Sequence, residues 1–122
     1  MLNLNTTPVL CAITHDGDGQ LLNTNADTIA SKVAQSLSRN FETHLHYIFE
    51  YPGVLKDIAY PDATFASLDA ASIRKFKSDG TLSAGMIPKI DNALEAREAG
   101  VTSVSICSIQ NLLSQEKATA IL

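Results

Sequence analysis

The sequence predicts an α/β protein built on a mainly parallel sheet. Three observations carry that reading. Short apolar runs alternate with stretches whose apolar residues recur at helical spacing. Gly, Pro and Asn punctuate the joins between them. Three polar or Gly-containing segments, 15–27, 50–57 and 80–89, follow strand-like runs, where open parallel sheets place their ligands.

Each element has a local reason. Pro8 to Thr14 is a short apolar run that reads as a buried strand. His15 to Gln20 is the turn that stops it. Asn25 is placed to cap a helix carrying Ile29, Val33, Ala34 and Leu37, and Asp27 suits the positive end of its dipole. Thr43 to Glu50, rich in β-branched and aromatic residues, is a second strand, broken by Tyr51-Pro52-Gly53. Val54 to Leu68 holds short extended pieces around Pro61. Ser67 or Asp69 caps a helix that runs to about Ser78 and closes at Gly80. Pro88 fits the first turn of the next helix, with Ile90, Leu94 and Ala96-Arg97, which stops at Gly100. Val101 to Cys107 alternates as a strand, Asn111 to Leu113 is a short helix, and Ala118 to Leu122 is a last extended piece.

Composition narrows the function. The 122 residues suit one domain or half of a larger one, with 45% hydrophobic and 18% charged residues. That balance excludes a disordered tail. A net charge of -4 and no basic cluster argue against a nucleic-acid binder. No apolar stretch is long enough to span a membrane, and Met1 to Asn5 lack the pattern of a signal peptide. Cys11 and Cys107 lie in strand-like runs and read as buried free thiols of a reduced cytoplasm. His44 and His46 share one strand face and read as a solvent-facing pair, without a third metal ligand at the right spacing.

Several residues could carry chemistry. Gly80 to Lys89 is a Gly-containing loop leading into a helix start with a lysine in its first turn, a pattern that suits an anion. It is not a Walker A loop, in which Gly-Lys is followed by Ser or Thr. Asn23 and Asp27 flank a helix start, where an N-cap and a first-turn acid would be the ordinary reading. Glu50 and Asp57 bracket Gly53, whose missing side chain would let a ligand approach the backbone.

Taken together these motifs carry a resemblance. Asn23-x-Asn25-Ala26-Asp27, Gly53-Val54-Leu55-x-Asp57, Gly80-x-Leu82-x-x-Gly85-Met86-Ile87-Pro88-Lys89, Ala93-Leu94-Glu95-Ala96 and Gly100-Val101-x-x-Val104 occur in this order. The pattern is similar to the C-terminal half of the acetylglutamate kinases, within the amino acid kinase family, over nearly the whole chain from Pro8. The resemblance implies a three-layer α/β/α sandwich on a mainly parallel sheet. It implies transfer of the γ-phosphoryl of ATP, with Mg2+ bound through its phosphates, to the side-chain carboxylate of N-acetyl-L-glutamate in arginine biosynthesis. Lys89 matches the lysine that stabilises transition-state charge, Asp27 the aspartate that orients it, and Asn23 a contact to the acylated amino acid. Glu50, Tyr51, Pro52, Gly53, Val54 and Leu55, with Thr81, Leu82, Ser83, Gly85 and Met86, match segments that line the nucleotide.

There are departures. Glu50 stands where the family usually has aspartate, Ala84-Gly85-Met86 replaces Gly-Gly-Met, and Ser108-Ile109-Gln110-Asn111 replaces an Asp-Gly-Arg stretch. Family chains are about twice this length, and their first half holds another catalytic lysine and most of the acylglutamate pocket. These 122 residues alone are therefore expected not to turn over, and to self-associate through an uncovered sheet edge. A nucleotide-binding module without catalysis, a remnant without activity, an N-succinylglutamate kinase half and another amino acid kinase are the competing readings.

Overall fold

The computed structural model describes residues 6–122; the reading made for Met1 to Asn5 lies outside them. A hairpin of β1 (Ile13–His15) and β2 (Leu21–Asn23) comes first. It is followed by α1 (Ala26–Leu37), β3 (His44–Phe49), β4 (Ser67–Leu68), α2 (Ala70–Ser78), α3 (Ile87–Glu98), β5 (Ser103–Ser108) and β6 (Thr119–Ile121). The main sheet has the order β3-β5-β6-β4. β3 runs parallel to β5 from His44 opposite Ser103 to Phe49 opposite Ser108, β4 runs parallel to β6, and β6 is antiparallel to β5.

The first strand departs from expectation. Only Ile13–His15 is extended, it pairs antiparallel with β2 alone, and it stands outside the main sheet. Val9 is 92% exposed and Leu10 60%. Cys11 is an exposed thiol, so only Cys107 is buried as expected. Among the described residues no second layer packs on the hairpin, and apolar character alone does not bury it. The turn at 15–20 makes a hairpin because Gly17 and Gly19 take positive φ and Asp16 Oδ1 accepts the backbone N–H groups of Asp18 and Gln20.

The helix starts follow their caps. Asn25 accepts the N–H groups of Asp27 and Thr28, and Asp69 accepts that of Ser72. The first helix has two faces. Ile29 and Val33 line a hollow against Pro8 and Leu10 to Ala12. Ser31 and Ala34 are buried; Ser31 Oγ donates to the Asn92 carbonyl of α3 at 3.0 Å. Ala93 and Ala96 of α3 are buried as well, so the two helices meet through small side chains.

Tyr47, Val104, Ile106, Leu68 and Ile121 of the sheet share one core with Ala34, Ile73, Ile90, Ala93 and Ala96 of the helices. Each fully buried isoleucine here stabilises the fold by about 1.5–3 kcal/mol. The other sheet face carries His44, His46 and Ile48 into solvent, as expected for the histidines. Their rings bridge to the neighbouring strand: His44 Nδ1 lies 2.7 Å from Ser103 Oγ and His46 Nδ1 2.8 Å from Ser105 Oγ. Ser105 Oγ donates onward to Gln115 Oε1, which assigns the Nδ1–H tautomer to neutral His46. No described helix is long and apolar enough to cross a membrane.

The loop after β3 is pinned from below. The buried Thr119 hydroxyl accepts the Val54 N–H at 2.8 Å and donates to the Phe65 carbonyl at 2.6 Å. Thr64 Oγ1 donates to the Lys117 carbonyl at 2.9 Å. A Cβ on Gly53 would stand 2.5 Å from that same carbonyl and 2.7 Å from Thr119 Oγ1. The protein's own backbone thus already requires a glycine at 53. Lys117 itself sits at φ 58°, a costly conformation for a residue with a side chain.

Two outcomes follow. Gly53→Ala forces backbone apart and should cost about 1–3 kcal/mol. Thr119→Val strands two buried groups and should cost about 1–3 kcal/mol. Urea unfolding measures both, and an unchanged free energy in either contradicts the pinning. For His46, burial and then the charge of His44 lower its pKa below the ordinary 6.5. The unfolded chain therefore binds the proton first, and stability should fall as pH drops below 6.5 toward the folded value, then flatten for this group. His46→Gln should remove that part of the slope in unfolding measured between pH 7 and 5.

Candidate functional site

The site is built where α3 begins. Unlike α1 and α2, α3 has no side-chain cap, and Pro88 stands in its first turn. Met86, at the cap, is buried, and its N–H reaches the Ser83 carbonyl at 2.9 Å. This folds the loop 80–86 tightly against the helix start. Gly80, at φ 78°, makes the preceding reversal, with Asp79 Oδ1 accepting both the N–H and the hydroxyl of Thr81.

A cleft opens between this loop and the end of β3. Its walls are Phe49, Glu50, Tyr51, Val54, Leu55, Asp57 and Ile58 on one side and Thr81, Leu82, Ser83 and Met86 on the other. The mixture is a largely apolar slot with a few hydroxyls and two carboxylates at its rim, a composition suited to a flat ring bearing polar groups. The two segments singled out in the sequence are therefore brought together across one space. Pro52, Gly53 and Gly85 are not on its surface: Pro52 is half-buried, Gly53 is packed against β6, and Gly85 is exposed on the outer side of the loop.

Lys89 is one turn into α3. Its Nζ donates to Asp27 Oδ1 at 2.7 Å, with side chains only 14% and 26% exposed. The bond ties the start of α3 to the start of α1. An ion pair so far withdrawn from water carries a desolvation cost, so removing one partner and stranding the other charge is expensive. The ammonium has three donors, and among the described residues only Asp27 accepts from it. The other two have no acceptor among the described residues.

Aromatic rings flank that ammonium. The Tyr47 centroid is 5.2 Å from Lys89 Nζ and the Phe49 centroid 5.9 Å, both within cation–π range. The Tyr47 hydroxyl donates to the Asp27 carbonyl oxygen at 3.1 Å. Burial pushes that hydroxyl up to about 12, so it stays a donor at neutral pH. Phe49 belongs both to the cleft wall and to the surroundings of Lys89, and so joins the two parts of the site.

Asn23 lies exposed at the end of β2, two residues before the cap of α1, and is not among the cleft residues. Asp57 reaches the rim, but its carboxylate accepts the Ala59 N–H at 2.8 Å and shapes its own turn. Sequence reasoning missed Tyr47, Phe49 and Ile58. The alternation of β3 puts Tyr47 and Phe49 on the same face, which was readable; that this face meets Lys89 was not.

Comparison with known proteins agrees with this architecture. Residues 1–108 match the model of the amino acid kinase family. The acetylglutamate kinase of Cytophaga hutchinsonii is 43% identical over 113 residues, which are 93% of this chain and 43% of that protein. The acetylglutamate kinase of Parabacteroides distasonis is 37% identical over 121 residues, 99% of this chain and 47% of that protein. The chain thus spans less than half the length of these relatives. Among solved structures, smu.665 from Streptococcus mutans superposes with TM-score 0.71 at 30% identity, over 82% of this chain and 38% of that one. A carbamate kinase from Giardia lamblia bound to AMP-PNP superposes with TM-score 0.67 at 18% identity, over 86% of this chain and 39% of that one, a likeness of fold. With the family model covering most of its length and the parallel sheet and helix layer matching solved folds, the chain belongs to the amino acid kinase family.

Proposed function

We propose that this chain is the nucleotide-holding part of an N-acetyl-L-glutamate kinase, which transfers the γ-phosphoryl of ATP to the substrate's side-chain carboxylate in arginine biosynthesis. The observation that carries this reading is the Lys89 ammonium, held on Asp27 and 5.9 Å from the ring of Phe49, a wall residue of the cleft that also has Glu50, Tyr51, Val54, Leu55, Thr81, Leu82, Ser83 and Met86 in its lining. The relatives named acetylglutamate kinase support the choice of acceptor.

The chemistry asks little covalent work of the protein. Phosphoryl transfer is promoted by positioning and by positive charge on the phosphoryl oxygens. The slot of Val54, Leu55, Leu82 and Met86 takes the base, and the Glu50 carboxylate lies within reach of ribose hydroxyls. The two uncommitted N–H donors of Lys89 face the terminal phosphates, and Asp27 keeps the ammonium from swinging away. Asn23 contacts the acylated amino acid. Among the described residues no group of three or more His, Cys, Asp or Glu could hold a metal, and Asp27 is committed to Lys89. In this reading Mg2+ would be carried on the nucleotide phosphates, where it would neutralise their charge. A homo-oligomeric enzyme of the cytoplasm goes with this reading, and the free thiols suit that compartment.

Nucleotide binding and turnover are separable, because the chain covers under half of the relatives. Calorimetry with Mg-ATP should give saturable binding at one site per chain. Lys89→Ala should weaken it roughly tenfold, the loss of one charge-assisted contact. Asp27→Asn should cost about 1–3 kcal/mol of stability by stranding the ammonium. No heat at millimolar Mg-ATP would sink the nucleotide reading. Trapping of acyl phosphate as hydroxamate should detect no product from these residues alone; product abolished by Lys89→Ala would show a complete active site instead.

A further inference from the structure

We propose that Tyr47 and Phe49 are positioning residues for Lys89: their rings flank the ammonium and, with Asp27, restrict the directions its free donors can take. The geometry is specific to this arrangement of β3. Tyr47 and Phe49 alternate onto the helix-facing side of the sheet, and their centroids lie 5.2 and 5.9 Å from the same Nζ. Tyr47 is 3% exposed, so its ring is fixed by the core. Its hydroxyl also holds the Asp27 backbone carbonyl at 3.1 Å. One side chain therefore touches both partners of the Lys89–Asp27 pair.

The physical consequence is directional. A lysine side chain on a helix surface samples many rotamers. Here a carboxylate draws the ammonium from one side, and the ring faces attract it through their quadrupoles while accepting no ordinary N–H bond. Donors not used by Asp27 are left for oxygens arriving from the cleft that Phe49 also lines. Lys56 and Lys75 each lie near a single ring, Phe65 and Phe76, but on exposed side chains that do not line this cleft. The effect on phosphate rests on the function proposed above; the clamp itself does not.

The test reads Lys89 directly. Carbon–proton correlation spectra of the labelled chain, with Lys89 assigned through Lys89→Arg, report ring currents on its ε-methylene. Its proton resonances should lie upfield of those of Lys32, Lys77 and Lys117, which have no ring beside them. Tyr47→Phe should keep most of the shift, Tyr47→Leu should lose most of it, and Phe49→Leu part of it. Mg-ATP affinity should fall roughly fivefold in Tyr47→Leu and less in Tyr47→Phe. Amide dispersion shows which variants fold; should Tyr47→Leu not fold, Phe49→Leu at its half-buried position and the unaltered chain decide. Lys89 resonances coincident with those of the unflanked lysines, or unmoved in a folded Tyr47→Leu or Phe49→Leu, would overturn the clamp. Absence of Mg-ATP binding by the unaltered chain would instead defeat the proposed function, leaving the methylene shift to judge the clamp.

Discussion

The Lys89–Asp27 bond joins two helix starts that are 62 residues apart in sequence. Both helices lie on one face of the sheet and meet through small buried side chains, with the Lys32–Glu95 ion pair bridging them at the surface. Ser31, Ala34, Ala93 and Ala96 let α1 approach α3 closely. That closeness brings an acid in the first turn of one helix to the lysine in the first turn of the other. A larger residue at Ala93 would separate the helices and lengthen the pair. The packing of the core and the electrostatics of the site are in this sense one constraint.

The sheet supplies the second coordinate. β5 lies between β3 and β6, and its residues Val104 to Ser108 are buried. It holds β3 in register, so that Tyr47 and Phe49 face the helices while His44 and His46 face away. At the end of β3 the chain turns into the cleft loop, which the Thr119 hydroxyl and the Lys117 carbonyl pin from β6. A residue near the C-terminal end of the chain thus fixes a loop in its middle. Among the described residues the non-glycine positions with left-handed backbone are Gln115 and Lys117, and the Lys117 carbonyl faces Gly53 of the cleft loop.

Much of this was legible in the sequence. The cap Asn25, the cap offered as Ser67 or Asp69 and found at Asp69, and the glycine stops at Gly80 and Gly100 are local signals, and the strands read over 43–50 and 101–107 are found at 44–49 and 103–108. The first strand was misread because Val9 and Leu10 look buried by type, yet burial needs a covering layer that no local pattern encodes. The hairpin at Leu21–Asn23 was missed for the same reason: its turn was read as a stop. Within the site, helix-start and loop chemistry drew attention to Lys89, Asp27 and both loop segments, and the resemblance to the acetylglutamate kinases gave them their roles. Gly53 was read as room for a ligand, but its neighbour is the Lys117 carbonyl, a long-range contact. Tyr47 and Phe49 escaped notice because an aromatic residue in a strand is ordinarily core.

The claim that the cleft and Lys89 form one nucleotide site is tested most directly by mapping where a nucleotide touches. Amide resonances of the chain, followed as Mg-ATP is added, should move at Phe49 to Leu55, Thr81 to Met86 and Lys89. Those of the β1–β2 hairpin tip and of the His44 and His46 face should stay in place. Shifts confined to the histidine face or the hairpin, with the cleft segments silent, would contradict it.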